Sequence, residues 1–157
     1  FLDSARLRGV LASKAEVAAS SIDAYVLGEH GESQFVAWSK ATIGGVPLEQ
    51  ALLPGAKLDK EGIAQDTKNK ATSIIENKGA TNYGIGGVAA SICKSILFDQ
   101  RNIRPVSHHQ ENLGVCLSIP AVLGRKGLVR TIEMGLTEEE QGKLKKSAEA
   151  LKEVINA

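Results

Sequence analysis

The sequence predicts an α+β fold, in which long helices are segregated from an antiparallel sheet. First, helix-like and strand-like segments do not alternate regularly along the chain. Second, "IRPVSHH", "GVCLSIPAVLG" and "GLVRTIEM" have strand composition and are separated by glycine-containing turns, which is typical of an antiparallel meander. Third, "TEEE" at Thr137–Glu140 has the pattern of a capping box, and an apolar stripe follows it at Leu144, Ala148, Leu151 and Ile155.

The N-terminal segment predicts a helix followed by a strand. Asp3 or Ser4 is the expected cap of a helix that runs to about Val17, with one apolar face formed by Leu7, Val10, Leu11, Ala15 and Ala18. "SIDAYVLG", residues 21–28, then reads as a strand that leads into "GEHGES".

The middle of the chain predicts short strands and two helices. "FVAW" and "KATIGG" indicate strands ended by Gly44, Gly45 and Pro47, and "LLPGAKLD", residues 52–59, indicates a loop. A helix is expected from Lys60 to Lys78, with Gly79 stopping it and an inward face at Ile63, Thr67, Ala71, Ile74 and Ile75. Residues 79–87 read as a glycine-rich connector, followed by a helix over about residues 88–99.

The composition of the chain excludes several classes of function. The chain has 157 residues and 43% hydrophobic residues, enough for one packed domain. With 19 basic and 18 acidic residues the net charge is +1, which gives no electrostatic argument for nucleic acid or an anionic membrane. No apolar run approaches the roughly 18 residues of a membrane span, and the N-terminus lacks a signal-peptide pattern. The distant Cys93 and Cys116 indicate thiols in a reducing cytoplasm.

A metal site is not expected. His108 and His109 are adjacent in a predicted strand, where neighbouring side chains point to opposite faces. No second ligand pair accompanies them, so a packed or solvated pair is favoured.

His30 is the first candidate for chemistry. It lies in a loop between Gly28 and Gly31, where an imidazole is open to a ligand. Histidine is also the side chain best suited to exchange protons near neutral pH. The alternative is a surface histidine without a role. A directed acid or base needs an orienting carboxylate, and Asp3 is a better candidate than Glu29 or Glu32, because near neighbours in sequence rarely face the same way.

Arg6 lies three residues after Asp3, so the two share a helix face. An arginine can bind a planar carboxylate bidentately. The alternative is an ordinary surface ion pair between Asp3 and Arg6, which would stabilise the protein little.

Together these segments resemble the catalytic half of the lactate/malate dehydrogenase family. "DSAR", residues 3–6, matches a motif of the lactate branch with the form LD-[ST]-AR. "GEHGES", residues 28–33, matches GEHG followed by an acidic residue, and "KGATNYGIG", residues 78–86, resembles a third segment. The closing "LTEEEQGKLKKSAEALKEV" also fits, so the resemblance covers residues 1–157.

The resemblance implies both a fold and roles for residues. The fold would be the C-terminal substrate and catalytic domain of that family. His30 would exchange the proton of the substrate's C2 oxygen, Asp3 would pair with His30, and Arg6 would grip the substrate carboxylate. Substrate binding is expected at Asp3, Ser4, Ala5, Arg6 and Thr81, and Ile85 is expected to contact the nicotinamide ring. Without the family, Thr81 reads as a helix cap and Ile85 as core.

The resemblance also implies an NAD cofactor whose binding domain is missing from these residues. No GxGxxG fingerprint occurs, since "GIGGVA", residues 84–89, has the wrong spacing and follows no strand. We therefore expect the chain to be a piece of a longer protein that carries an N-terminal dinucleotide-binding Rossmann domain.

The expected substrates are small 2-oxo and 2-hydroxy acids, first of all the pair pyruvate and L-lactate. "SQFVAWS", residues 33–39, instead resembles relatives that reduce bulkier acids such as 2-oxoisocaproate, and malate is the third possibility. The resemblance also implies a homo-oligomer, a dimer or tetramer. A different hypothesis is a non-catalytic oligomerisation or interaction domain.

Regulation by a sugar bisphosphate is not expected. Many bacterial members of the lactate branch bind fructose 1,6-bisphosphate through an arginine and a histidine. Arg8 matches the arginine, but Asp23 occupies the histidine position, and a carboxylate repels a phosphate.

Overall fold

The computed structural model describes residues 1–53, 55 and 57–156. Among these residues the chain forms five α-helices, which are α1 Leu2–Ala15, α2 Leu48–Ala51, α3 Lys60–Lys78, α4 Asn82–Leu97 and α5 Glu138–Ile155. The long helices are separated from the main sheet in sequence, as expected for α+β.

All strand pairs in the described residues are antiparallel. One sheet joins β1 Ile22–Asp23, β4 Thr42–Ile43 and β5 Val46–Pro47, and a second pairs β2 Val26–Leu27 with β3 Phe35–Val36. The main sheet has the order β6 Asn102–Gln110, β7 Val115–Gly124 and β8 Gly127–Thr131. The predicted meander is therefore confirmed.

The helix signals that depend on local residues are confirmed. Helix α3 has the predicted bounds, and Gly79 ends it with a left-handed φ of 81°. Helix α5 begins with the predicted capping box, because the Thr137 hydroxyl accepts from the Glu140 amide and the Glu140 carboxylate accepts from the Thr137 amide.

The predicted cap of α1 is wrong. Phe1 occupies the N-cap position, and Asp3 and Ser4 lie inside the first turn. Their side chains are engaged by other parts of the chain, since Asp3 contacts His30 and Ser4 bonds to Val26. The helix ends at Ala15 and not near Val17, because Glu16 adopts a left-handed conformation with φ of 55°.

The predicted strand over residues 21–28 is two short strands. The chain changes partner between them, since β1 pairs with β4 whereas β2 pairs with β3. The short helix α2 was not predicted; its Leu48 is buried in the core. The predicted loop over residues 52–59 includes Pro54 and Ala56, which lie outside the described residues, and its described remainder forms neither helix nor strand.

The predicted connector over residues 79–87 is also wrong, because α4 begins at Asn82 and includes three glycines. Glycine costs a helix about 1 kcal/mol relative to alanine. Gly84 has a packing reason to be there: a Cβ atom at this position would lie 3.3 Å from Leu2 of α1. Two residues that were predicted to face inward are exposed. They are Ile75 on α3 and Ala18, which lies after the end of α1.

Three groups of buried residues hold these elements together. The first joins α1, β1, β2 and α3 around Leu7, Leu11, Ile22, Val26 and Ile63. The second packs α5 on β7 through Ala148 and Leu117, and the third places Leu27 and Phe35 against the segment before α5. Strands β2 and β3 are therefore anchored on both sides, which fixes the loop between them.

Candidate functional site

The histidine loop, residues 28–34, enters between β7 and α5. Gly28 exchanges two backbone hydrogen bonds with Ser118 of β7, with N···O distances of 3.1 and 3.0 Å. Its φ of 92° is in the left-handed region, and a Cβ atom there would lie 2.6 Å from Ser147 Oγ of α5. Only glycine fits this entry without strain.

Two further contacts hold the rest of the loop. The Glu29 amide donates to Ser147 Oγ at 2.7 Å, and Ser33 Oγ bonds both to Ser147 Oγ at 2.9 Å and to the Glu29 carboxylate. Lys68 of α3 bonds to the carbonyl of Glu32 at 3.3 Å and to its carboxylate at 2.5 Å. Both loop carboxylates thus have partners other than His30.

The structure brings His30 and Asp3 together. Nδ1 of His30 lies 3.1 Å from Oδ2 of Asp3, and Nη1 of Arg6 lies 2.8 Å from Oδ1 of the same carboxylate. The His30 side chain is 85% exposed, whereas the Asp3 and Arg6 side chains are 11% and 13% exposed. The helix dipole also favours a carboxylate in the first turn of α1.

The position of Asp3 relative to the loop is set by Ser4. The Ser4 hydroxyl is fully buried and accepts from the Val26 amide at 2.9 Å. Val26 belongs to β2, the strand that leads into the histidine loop. One hydrogen bond therefore fixes α1, which carries Asp3, relative to the strand that leads to His30.

A cleft of about 420 Å³ opens beside this pair. Asp3 and Ser4 line one side, His30 and Gln34 of the loop line another, and α4 and β6 complete it with Ile85, Val88, Ile92, Pro105, Val106 and Ser107. Of the predicted site residues, Asp3, Ser4, His30 and Ile85 thus line one cleft.

Three other predicted site residues do not line this cleft. Arg6 reaches it only through Asp3, and Ala5 belongs to the same helix without contributing to the lining. Thr81 occupies the N-cap position of α4, but its hydroxyl makes no capping hydrogen bond there.

A larger cleft of about 1160 Å³ also borders the histidine loop. Residues of α2, α3 and α5 line it, and Glu29 and Gln34 are shared with the smaller cleft. It contains none of the predicted site residues. The smaller cleft is the better candidate because it holds the His30–Asp3 pair, and a pocket alone supplies no such chemistry.

The cleft can receive the nicotinamide end of a dinucleotide. Ile85 on α4 is 54% exposed and, with Val88 and Ile92, gives apolar surface to the cleft that His30 and Asp3 also line. A flat ring can pack on such a surface. No glycine turn that would hold a pyrophosphate is part of this lining. The residues of the cleft therefore fit only the nicotinamide end of the cofactor.

The other two histidines lie in the main sheet. His108 is within hydrogen-bond distance of the Val106 carbonyl and the Thr131 hydroxyl, and His109 is opposite Cys116 on β7. Among the described residues, no cluster of three or more His, Cys, Asp or Glu has an arrangement that could hold a metal ion. Nor does any described helix have the length and apolarity to cross a membrane.

Arg8 and Asp23 both lie near Tyr25, and the absence of regulation through them stays a prediction. Nε of Arg8 donates to the Ser4 carbonyl at 3.2 Å. Burial raises the pKa of Tyr25, with a further upward contribution from Asp23 and an opposing one from Arg8, so both charged groups lie near this phenol.

Sequence reasoning missed Ser147, and it gave no individual role to Ser33 and Gln34 although their segments "GEHGES" and "SQFVAWS" were singled out. Ser147 carries a signal in retrospect, because it follows Leu144 by three residues and so lies on the predicted apolar face of α5. A serine at such a position needs a hydrogen-bond partner once it is buried. No sequence spacing predicts that this partner is the histidine loop.

Comparison with known proteins gives matches over nearly the whole chain. A family model described as the lactate/malate dehydrogenase, alpha/beta C-terminal domain, matches residues 1–157. L-lactate dehydrogenase A of Rhizopus oryzae is 46% identical over 154 residues, which cover 98% of this chain and 48% of that protein.

Solved structures agree in fold. A lactate dehydrogenase from a Medee basin deep-sea metagenome library superposes with a TM-score of 0.95 at 32% identity, over 99% of this chain and 52% of that one. The malate dehydrogenase of Aeropyrum pernix gives 0.87 at 33% identity, over 99% and 51%. The chain spans about half the length of the relatives it matches.

Proposed function

The chain belongs to the lactate/malate dehydrogenase family, with the fold of its C-terminal domain, and we propose that it is the substrate half of an NAD-dependent L-lactate dehydrogenase. The full protein would interconvert pyruvate and L-lactate. The observation that carries this proposal is the contact between His30 Nδ1 and Asp3 Oδ2 at the edge of an open cleft.

This contact leaves one ring nitrogen free for the substrate. With Nδ1–H donating a hydrogen bond to Asp3, Nε2 of His30 can hold or release the proton that the substrate oxygen exchanges. Reduction of a 2-oxo acid builds negative charge on that oxygen, and a protonated imidazole neutralises it. The buried Asp3 carboxylate orients the ring through its contact with Nδ1.

Arg6 is the proposed anchor of the substrate carboxylate. A guanidinium has five N–H donors, and the observed contact with Asp3 uses one nitrogen, Nη1. Arg6 does not line the cleft, so this role rests on the resemblance of the "DSAR" motif. Its remaining donors are those that would form the paired hydrogen bonds that a carboxylate accepts. Such a clamp would fix which face of the carbonyl is presented for reduction.

NAD is the proposed cofactor, and when bound it supplies or accepts the hydride. In this chain Ile85, supported by Val88 and Ile92, would hold the nicotinamide ring against the cleft. The rest of the cofactor would be held by a dinucleotide-binding domain elsewhere in the protein. The proposed roles of Ser4, Ala5 and Thr81 in substrate binding rest on the resemblance of the sequence motifs alone.

A bulkier 2-oxo acid is the second candidate substrate. Gln34 belongs to the unusual "SQFVAWS" segment and lines the cleft beside His30, so it is placed to affect the side chain of the substrate. This supports an enzyme that also accepts 2-oxoisocaproate. Oxaloacetate remains the third candidate, as the superposition on a malate dehydrogenase allows.

We also propose a homo-oligomer in the cytoplasm. Both cysteines are free thiols, as the cytoplasm favours. Helix α4 is largely apolar, yet it leaves Tyr83, Ile85 and Leu97 exposed, and such surface is available for subunit or domain contacts.

The test is steady-state kinetics of the full-length protein with NADH and three substrates. We expect turnover with pyruvate or 2-oxoisocaproate and a lower kcat/KM with oxaloacetate. Preference for oxaloacetate would make the protein a malate dehydrogenase. If none of the three acids is reduced by a folded protein that binds NADH, the proposed function is wrong and a non-catalytic role gains support.

A further inference from the structure

We propose that Ser147 of α5 is a positioning residue, whose hydroxyl holds the histidine loop so that His30 faces Asp3. The inference rests on the proposed function, because it assigns Ser147 a part in that reaction through His30. Ser147 does not touch the cleft that holds the His30–Asp3 pair. Its hydroxyl is fully buried and lies beneath the loop, bonded to residues on both sides of His30.

The number of protons on each group determines which group donates and which accepts in these hydrogen bonds. A serine hydroxyl has one proton to donate, and an ionised carboxylate can only accept. Ser33 therefore donates to the Glu29 carboxylate, and the proton between the two hydroxyls must come from Ser147. Ser147 in turn accepts from the Glu29 amide. The chain of bonds starts and ends on Glu29, and we call it the Ser147 ring.

The Ser147 ring closes over the segment that contains His30. Its anchors are Glu29 and Ser33, which flank the three residues between them and limit how far that segment can shift. The His30 side chain is 85% exposed, and little packing restrains it. The position of its backbone therefore decides whether Nδ1 stays within 3.1 Å of Asp3.

Gly28 shows how closely α5 and the loop approach. A Cβ atom on Gly28 would lie 2.6 Å from Ser147 Oγ and 3.2 Å from Ser147 Cβ. The loop entry is thus shaped to bring the Glu29 amide onto this hydroxyl. A larger side chain at position 147 would displace the loop, and a smaller one would leave the amide without its acceptor.

The competing explanation is a buried serine that only stabilises the fold. Ser95 of α4 is such a residue, since it is also fully buried and bonds to the Ser91 carbonyl of its own helix at 3.0 Å. It does not contact the histidine loop in any described hydrogen bond. Ser95→Ala is therefore a matched control for Ser147→Ala.

The first measurement separates kcat from KM in the full-length protein. Ser147→Ala should lower kcat for the best 2-oxo acid by about 10- to 100-fold, the scale expected when a reacting group is displaced by about 1 Å. The KM values for the acid and for NADH should change far less, because Arg6 and Ile85 are untouched. Ser147→Cys, which keeps a weak donor of similar size, should recover part of kcat, and Ser95→Ala should keep kcat.

The second measurement does not depend on activity. Amide hydrogen exchange of Glu29 should accelerate by about tenfold in Ser147→Ala, the change expected when one ordinary hydrogen bond is lost. Ser95→Ala should leave that amide unchanged. Should Ser147→Ala fail to fold, Ser33→Ala opens the same ring from a half-buried loop position and should lower kcat in the same direction.

The outcomes distinguish this inference from the proposed function. If the unsubstituted protein reduces 2-oxo acids but Ser147→Ala keeps its kcat, the positioning role is wrong and the proposed function stands. Equal losses of kcat in Ser147→Ala and Ser95→Ala would also overturn it. An unsubstituted protein without turnover overturns the proposed function, and the positioning role with it. Faster exchange at Glu29 with a selective loss of kcat supports both.

Discussion

Asp3 is shared between two partners: its Oδ2 lies 3.1 Å from Nδ1 of His30, and its Oδ1 lies 2.8 Å from Nη1 of Arg6. One buried carboxylate thus connects the exposed histidine to the arginine proposed to hold the substrate. Replacement of His30 should therefore act mainly on kcat, whereas replacement of Arg6 should act mainly on KM for the substrate.

Replacement of Arg6 by lysine should act on substrate binding. Lysine keeps the charge next to Asp3 but loses the planar fork. Because a charged hydrogen bond contributes about 1.5–3 kcal/mol, we expect KM for the 2-oxo acid to rise about 10- to 100-fold and KM for NADH to change little. Arg101→Lys, in an exposed pair with Asp99, is the control. Equal increases in both KM values would leave Arg6 as a simple ion-pair partner.

Replacement of Ile85 by serine should act on the cofactor. The side chain is 54% exposed on the cleft wall, so unfolding free energy should change by no more than about 0.5 kcal/mol. Loss of about half the burial energy of an isoleucine, roughly 1 kcal/mol, predicts a KM for NADH about fivefold higher. Leu97→Ser, on the same helix but away from the cleft, should not change that constant.

The loop entry predicts a difference between two glycines of similar conformation. Gly28 and Gly127 have φ values of 92° and 88°, but only Gly28 has a near neighbour, Ser147 Oγ. Gly127→Ala should cost about 1–3 kcal/mol of unfolding free energy from backbone strain. Gly28→Ala should cost about 1–3 kcal/mol more, the usual range for overpacking. Denaturant unfolding measures both, and equal costs would show that the contact with Ser147 is absent.

The capping box of α5 predicts a pH dependence. Burial by itself raises the pKa of Glu140, but hydrogen bonds from Ser39 and Thr137 outweigh it, so the pKa lies below its ordinary value of 4.5. A carboxyl group with a depressed pKa stabilises the fold above its unfolded pKa, and this contribution is lost as the pH falls through the folded pKa.

Glu140→Gln should therefore be less stable than the unsubstituted protein at pH 7, and the difference should shrink once the pH falls below about 4.5. Urea unfolding at several pH values measures it. Glu139→Gln is the control, since the Glu139 side chain is 77% exposed and should matter little. A difference that stays constant down to acid pH would show that the Glu140 charge contributes nothing.

Features that depend on near neighbours in sequence could be predicted. The bounds of α3 and the capping box of α5 follow from caps and glycine stops within a few residues, and the structure confirms both. The pairing of His30 with Asp3 could be anticipated because a catalytic histidine needs a carboxylate and the adjacent glutamates are poorly directed. Motif resemblance supplied the remaining roles.

Features that depend on distant contacts could not be predicted. The strand before the histidine loop is divided because its two halves pair with different strands, which no local pattern reveals. The start of α4 at Asn82 runs against glycine propensity, and Gly84 packs close to Leu2 of α1, a contact between distant residues. The contact of Ser147 with the histidine loop joins residues 118 positions apart.

The most direct test of the central claim is His30→Ala in the full-length protein, with NADH affinity and turnover measured separately. Loss of the proton donor should lower kcat for the preferred 2-oxo acid by about 10²- to 10⁴-fold, while the dissociation constant for NADH stays unchanged. His109→Ala, an exposed histidine on β6, should keep full activity. Turnover near that of the unsubstituted protein in His30→Ala would contradict the account.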